Sequence, residues 1–407
     1  SCPQMQESGK ELAKAVDSIP AYVAACRFFF VLCPLVASAT EGKVFSPTSW
    51  AQRGWCRMER ALRELSENPS YFLIRSASSI EVVAWPLTSF GGPVGEGGFT
   101  VAADRLKLAE ILQATLKRTL LRFLRARDLA RYRTLLNLQK VYLRGLPAEP
   151  VVDLVPGFEV SHGAEQDALV AMFLYQNGFT KVHEVDAVGC SPLCYAALNG
   201  DPLLVNALLA KRADVNDFCR KVNTTAGLLM WTSAVSISAQ FGNNDVMRAL
   251  IAARAKLGGF IPPLVMAAWG DNLEGVRILC GCSDPHVRNV LGFTALEAGC
   301  LGGSVSAVQE LILHATPKIL SDGLHAATTF RGGFTDMIEP LLQARADINM
   351  QHVVPSRVMA SVVFVTSVPY RFGIRTATST LNYHVRGSTP LMASVISGQC
   401  EATAALI

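Results

Sequence analysis

The residues best suited to chemistry in this 407-residue chain are its eleven cysteines, its seven histidines and a run of basic side chains. The tightest thiol pairs are Cys280-x-Cys282 and Cys190 with Cys194. Neither has a second pair at metal-ligand spacing, so no metal site is expected. His162, His183, His286, His314, His325, His352 and His384 are dispersed and form no triad or ligand set. The glycine-rich stretch 91–99 (GGPVGEGGF) lacks the lysine and hydroxyl of a phosphate cradle and reads as a hinge. Residues 101–144 carry eleven Lys or Arg against Asp104, Glu110 and Asp128. A basic amphipathic helix of that kind touches nucleic acid or an anionic membrane, or more plainly offers a solvated face.

Composition bounds the rest. Half the residues are hydrophobic, 17% are charged and the net charge is +4, which describes a folded chain with no general pull toward polyanions. The odd cysteine count without a framework suggests reduced thiols and a cytoplasmic setting. The longest apolar run, residues 28–37, is broken at Cys33-Pro34 and is about half a membrane span, so no transmembrane segment is expected. Ser1 is not an initiator methionine, which leaves open whether residues upstream complete the N-terminal region.

The elements that position side chains are clearest at residues 188–216, VGCSPLCYAALNGDPLLVNALLAKRADVN. Ser191-Pro192 starts a helix, because the hydroxyl caps and proline at the first position loses no needed hydrogen bond. Gly200-Asp201 turns the chain back, and Leu204, Val205, Leu208 and Leu209 form the stripe of a second helix. Two helices of about ten residues are marginal alone and need a stacked neighbour. The order S-P-L-x-x-A-A-x-x-G, then L-V-x-x-L-L, then A-D-V-N resembles the ankyrin repeat. Related copies begin at Ser233, Pro262, Thr294, Leu324 and Thr389, the Pro262 copy with its glycine one place early and the last ending in its second helix. Residues 166–186 suit an N-terminal half-repeat.

The resemblance implies a mainly α chain, an ankyrin-type solenoid of about five to six degenerate repeats over residues 166–407. It also implies a scaffold or adaptor that binds a protein partner on the concave side. Groove candidates are Leu198, Asn199, Gln240, Phe241, Trp269 and Leu301, with Phe241 and Trp269 as hot spots. His325, in L-H-A-A, falls where the family's histidine orders a turn. Residues 350–386 are an insertion with β character, expected as a projecting hairpin or loop with strands at 362–368 and 380–385.

Residues 1–90 read as an α/β module: a helix at 11–26, a buried strand at 27–33, a helix at 55–65 and short strands at 71–74 and 81–85. Strand, helix, strand at this spacing predicts a parallel pair. The region resembles the second half of a TIR domain through S-x-x-x-x-x-W-C-x-x-E, here Ser49, Trp55, Cys56 and Glu59. That resemblance implies an alternative in which Glu59 is the catalytic acid of an NAD-cleaving enzyme, with NAD as its only cofactor. A carboxylate there would hydrogen-bond a ribose hydroxyl and stabilise an oxocarbenium-like transition state. The plainer reading is non-enzymatic, with Glu59 paired to Arg63 at i+4 and Trp50 and Trp55 as packing anchors. The expected organisation is thus a module at 1–90, a linker at 91–100, a basic helical segment at 101–144, a connector at 145–165 and the solenoid at 166–407.

Overall fold

A computed structural model describes residues 9–34, 36–37, 44–45, 47–76, 79–83, 92–159, 165–329 and 333–407. The chain forms two compact units. Unit 1 holds residues 1–164, 171–180 and 222–228, and unit 2 holds 165–170, 181–221 and 229–407.

Unit 1 begins with α1 (Gly9–Ala25) and β1 (Phe30–Leu32), followed by the paired two-residue strands β2 (Val36–Ala37) and β3 (Val44–Phe45). Then come α2 (Pro47–Ala51), α3 (Gly54–Glu64), β4 (Tyr71–Ser76) and β5 (Ser79–Val83). β1 pairs parallel with β4, Val31 opposite Leu73, and β5 returns antiparallel to β4. The strand expected at 27–33 is buried on one face only. Val31 and Cys33 point inward, whereas Phe28, Phe30 and Leu32 are exposed, so its aromatic richness did not signal burial on both sides.

Arg63 organises this unit from within. It is 1% exposed, and its guanidinium donates to the carbonyls of Cys26, Arg27 and Ser70 at 2.7, 3.1 and 2.8 Å. Those partners take up its donors in place of the Glu59 pairing read from the i+4 spacing; an ion pair that this helix does carry at that spacing is Arg60–Glu64, at 3.8 Å.

The glycine-rich stretch is not a free hinge. Gly54 N–H donates to Gly98 O, Gly98 N–H to Gln52 O, and Arg57 and Arg60 bond the carbonyls of Pro93 and Gly92. A side chain on Gly95 would meet the backbone of Gly145, so glycine here allows two chain segments to touch. The basic segment likewise is two helices, α4 (Asp104–Arg125) and α5 (Leu129–Leu143), broken at Arg127 in the left-handed region (φ +55°). Asp128 caps the second by accepting from Arg131 N–H. Leu108, Leu112, Leu116 and Leu120 of α4 join Met58, Leu62, Val94 and Tyr132 in one core. The segments expected as module, linker and basic helix therefore share a core as one body.

Unit 2 is built from helix pairs. After α6 (Glu165–Asn177), of which residues 165–170 count with this unit, the inner helices are α7 (Pro192–Asn199), α9 (Ala234–Gln240), α11 (Pro263–Trp269), α13 (Ala295–Gly302) and α15 (Pro317–Ala327). Their outer partners are α8 (Pro202–Ala210), α10 (Asn244–Ala252), α12 (Leu273–Cys280), α14 (Val305–Ile312) and α16 (Thr335–Gln343). Each inner helix touches the next inner helix, and each outer helix the next outer one. The fifth inner helix begins seven residues before the Leu324 start expected from L-H-A-A, because Thr316 caps it and Pro317 opens it.

Repetition extends to the caps. Ser191, Ser233, Thr294, Thr316 and Thr389 each accept a backbone N–H in the first turn of an inner helix. The copy with the early glycine shows why the shift is tolerated: Gly270 stays at φ −83°, and Asp271 takes the left-handed position at φ +51°. Asparagines then tie one pair to the next. Asn243 Nδ2 donates to Ala197 O at 2.8 Å and Asn272 Nδ2 to Ala239 O at 2.9 Å, while Ser304 Oγ takes the same place against Trp269 O. Each satisfies a carbonyl left open at an inner helix C-terminus.

The 350–386 insertion is helical, not β. Ser356 caps α17 (Arg357–Arg371), Thr376 and Ser379 form a capping box on α18 (Ala377–His384), and the two helices pack together as a hairpin. Its valines follow a helical stripe, Val358, Val362 and Val365, which outweighs their strand preference. The stack continues past it: α15 touches α19 (Pro390–Ser397), and α16 touches α20 (Cys400–Leu406). The hairpin is a side branch.

Candidate protein-binding surface

The turns that precede the inner helices are tied in neighbouring pairs: Arg220 N–H donates to Gly189 O and Val290 N–H to Phe260 O, and the cap of α17, Ser356 Oγ, donates to Leu291 O in the turn before α13. Internal asparagines and aspartates shape each turn. Asp186 Oδ1 accepts from Val188 and Cys190 N–H, and Asn289 Oδ1 from Leu291 and Phe293 N–H. On this scaffold Trp231 stacks on Phe260, ring centroids 4.8 Å apart with the planes at 27°. Both are exposed, at 39% and 55%. Trp231 also sits at φ +69°, a conformation that a bulky residue adopts only under constraint. The constraint is local: Trp231 N–H donates to Cys219 O at 2.7 Å, and Cys219 N–H to Thr232 O at 2.9 Å.

Sequence reasoning missed this pair, since neither residue lies at a repeat position. The available signal was tryptophan directly before Thr232-Ser233, where a turn leads into a helix and no core position is due. The residues that were singled out lie at the other ends of the inner helices. Leu198 and Gln240 are buried, at 1% and 9%, so neither faces a partner. They point inward because the inner helices are covered on nearly every side, α7 from Pro192 to Leu198 and α9 throughout. Asn199, Phe241, Trp269 and Leu301 are partly exposed at that edge.

Cys33, Cys56, Cys190, Cys194, Cys219 and Cys300 are buried, whereas Cys26, Cys282 and Cys400 are exposed. Cys190 Sγ and Cys219 Sγ are 2.9 Å apart and buried, and Cys219 is held well above the usual thiol range by hydrogen bonding with Cys190 and Cys194 and by burial. Burial likewise pushes Cys280 up to about 11, with Glu310 adding to the effect. Such thiols are poor nucleophiles at neutral pH. Among the described residues no group of three or more His, Cys, Asp or Glu side chains could hold a metal ion, and no helix is long and apolar enough to cross a membrane.

In unit 1, Glu59 lies on α3 with its carboxyl raised by burial, and Arg53 acts against that shift. Trp55 is an anchor, its indole N–H donating to Asp104 Oδ2 at 2.8 Å. A cleft of about 230 Å³ opens elsewhere, lined by Leu62, Leu65, Thr119 and Arg122 among others, and Glu59 is not part of its wall. Of the basic side chains on α4 and α5, Arg133 is buried, bonds the carbonyls of Asn177 and Gly178 and stacks on Phe179. Arg122 pairs with Glu67 at 3.5 Å, and Lys117 and Arg118 are exposed.

An ankyrin-repeat family model matches residues 188–219. No curated protein matches the chain at a significant level. Among solved structures, the chain is similar to the human ASB11 ankyrin repeat domain at 21% identity, covering 49% of this chain and 93% of that one with a TM-score of 0.37. It is also similar to the ankyrin repeat domain of Bcl-3, a member of the IkappaB protein family, at 18% identity, covering 60% and 93% with a TM-score of 0.38.

Proposed function

We propose that this chain, which carries an ankyrin repeat at residues 188–219 and stacks further helix pairs upon it, is a non-enzymatic scaffold that binds a partner protein through unit 2. The observation that carries the reading is the exposed Trp231–Phe260 stack, with Trp231 held at positive φ by backbone hydrogen bonds to the 219 turn and Phe260 O tied to Val290 N–H. Aromatic anchors on a fixed support lose little entropy on binding and are where interface energy concentrates. Asn199, Phe241, Trp269 and Leu301 extend the proposed surface along the far edge of the same helices. A photo-crosslinking residue in place of Phe260 tests it. Crosslinks to a discrete partner, absent when the same residue replaces exposed Leu313, support the reading; identical products from both sites would remove it.

A second reading keeps the NAD-cleaving activity that the TIR resemblance implies. It is favoured by the raised carboxyl of Glu59 and by the parallel β1–β4 pair that α3 connects. Incubation with NAD decides it: nicotinamide release abolished by Glu59→Ala supports it, and no release, or release unchanged in that variant, removes it.

A further inference from the structure

We propose that the α17–α18 hairpin docks on an anionic lipid surface, with Phe372 and Ile374 entering the headgroup region and flanking arginines engaging lipid phosphates. The hairpin is packed within itself: Tyr370 stacks on Tyr383 at 4.4 Å, and the Tyr370 hydroxyl lies 3.1 Å from His384 Nε2. The helix rows join across its base, so stacking does not require its outer face. That face is apolar nonetheless. Val358, Val362, Val365 and Phe372 recur at helical spacing with exposures of 39–80%, and Phe364 beside them is 56% exposed. The reversal between the helices carries Phe372 and Ile374, with Gly373 between them at φ +82° and open space where its side chain would be.

Charge identifies the occupant. The chain has 33 acidic residues, about one in twelve, yet residues 348–400 contain none. They do contain Arg357, Arg371, Arg375 and Arg386, all exposed. Arg371 and Arg375 flank the apolar tip and lie over Phe364 and Tyr370 at 5.4 and 5.6 Å. An acidic segment of a protein partner would need only local complementarity and would tolerate carboxylates a helical turn away. A lipid surface is a plane of negative charge that repels every nearby carboxylate, and it also takes up apolar side chains. An acid-free stretch of this length around an apolar tip fits the plane better than the point contact.

The test is sedimentation of the full chain with vesicles of phosphatidylcholine alone or with about a third phosphatidylserine. The wild-type chain should partition onto the phosphatidylserine vesicles and release as salt rises. Arg371→Gln and Arg375→Gln should each weaken partitioning about fivefold, and Phe372→Ser with Ile374→Ser about tenfold or more. All four side chains are exposed, so unchanged melting of the variants is expected and separates lost docking from lost fold. A Phe372→Trp variant should gain blue-shifted emission with the anionic vesicles only. The proposal is overturned if wild type ignores phosphatidylserine, if the tip variant binds as wild type does, or if the emission of the Phe372→Trp variant does not move. It is equally overturned if Lys117→Gln with Arg118→Gln abolishes binding while the tip variant retains it. Binding of a poly-glutamate peptide without vesicle binding would assign the hairpin to an acidic protein instead.

Discussion

His325 Nε2 lies 2.9 Å from Ser388 Oγ, joining the last turn of α15 to the turn before α19 across the inserted hairpin. The Ser388 hydroxyl donates to Val385 O at 2.8 Å, so its oxygen accepts from His325 Nε2–H. Burial, with His352 stacked at 4.2 Å, pushes His325 down to about 3, and burial also lowers His352. In the unfolded chain both return to about 6.5, so the folded state binds fewer protons below that value. Stability therefore falls as pH drops from about 6.5, by up to about 1.4 kcal/mol per pH unit for His325. Buried Glu297, and Asp271, whose carboxyls are both raised by desolvation, act in the opposite sense, so the comparison must be between variants. Denaturant midpoints at neutral pH and near pH 5 should converge in His325→Gln relative to wild type. An acid loss of the same size in both would contradict this.

Asn272 accepts from Gly275 N–H at 2.9 Å and donates to Ala239 O at 2.9 Å, capping its own helix while closing the previous one. Asn272→Ala removes these bonds, together with its exchange with the Asn244 amide, and leaves the buried carbonyl of Ala239 open. Equilibrium unfolding should show a loss of about 2 kcal/mol. Ser304→Ala, which removes one bond to Trp269 O, should lose about half as much.

Arg212, Arg254 and Arg345 follow α8, α10 and α16 at φ +65°, +64° and +67°, where glycine is the unstrained residue. In each case the next residue's N–H closes on the helix, as Ala213 N–H does on Leu208 O. All three side chains are exposed. Replacing each with glycine should raise stability by about 0.5–1 kcal/mol, the relief exceeding the added freedom of the unfolded chain. A lower melting temperature for the triple variant would contradict the assignment.

The sequence patterns that proved legible were those with local causes. Ser191-Pro192, Thr294 and Thr389-Pro390 start helices wherever they stand, and the paired leucines mark the outer helices. What was hidden depended on partners distant in sequence. Gly95 looked like part of a linker because its reason, the backbone of Gly145, lies fifty residues on. Val362 and Val365 looked like strand residues because β-branching is a weak preference, and Ser356 and the packing with α18 decided for helix. Leu198 and Gln240 looked exposed because repeat position was taken for orientation, whereas α7 and α9 are covered nearly all round. Trp231 could not be found by counting repeats, since it occupies no repeat position.

The most direct measurement is quantitative affinity purification with wild type and a Trp231→Ala, Phe260→Ala variant in parallel, after confirming equal melting of the two. Each lost anchor of this kind weakens binding by about 2 kcal/mol. A protein enriched on wild type should therefore fall at least about tenfold on the variant. The same proteins recovered in equal amounts on both would contradict the proposed surface.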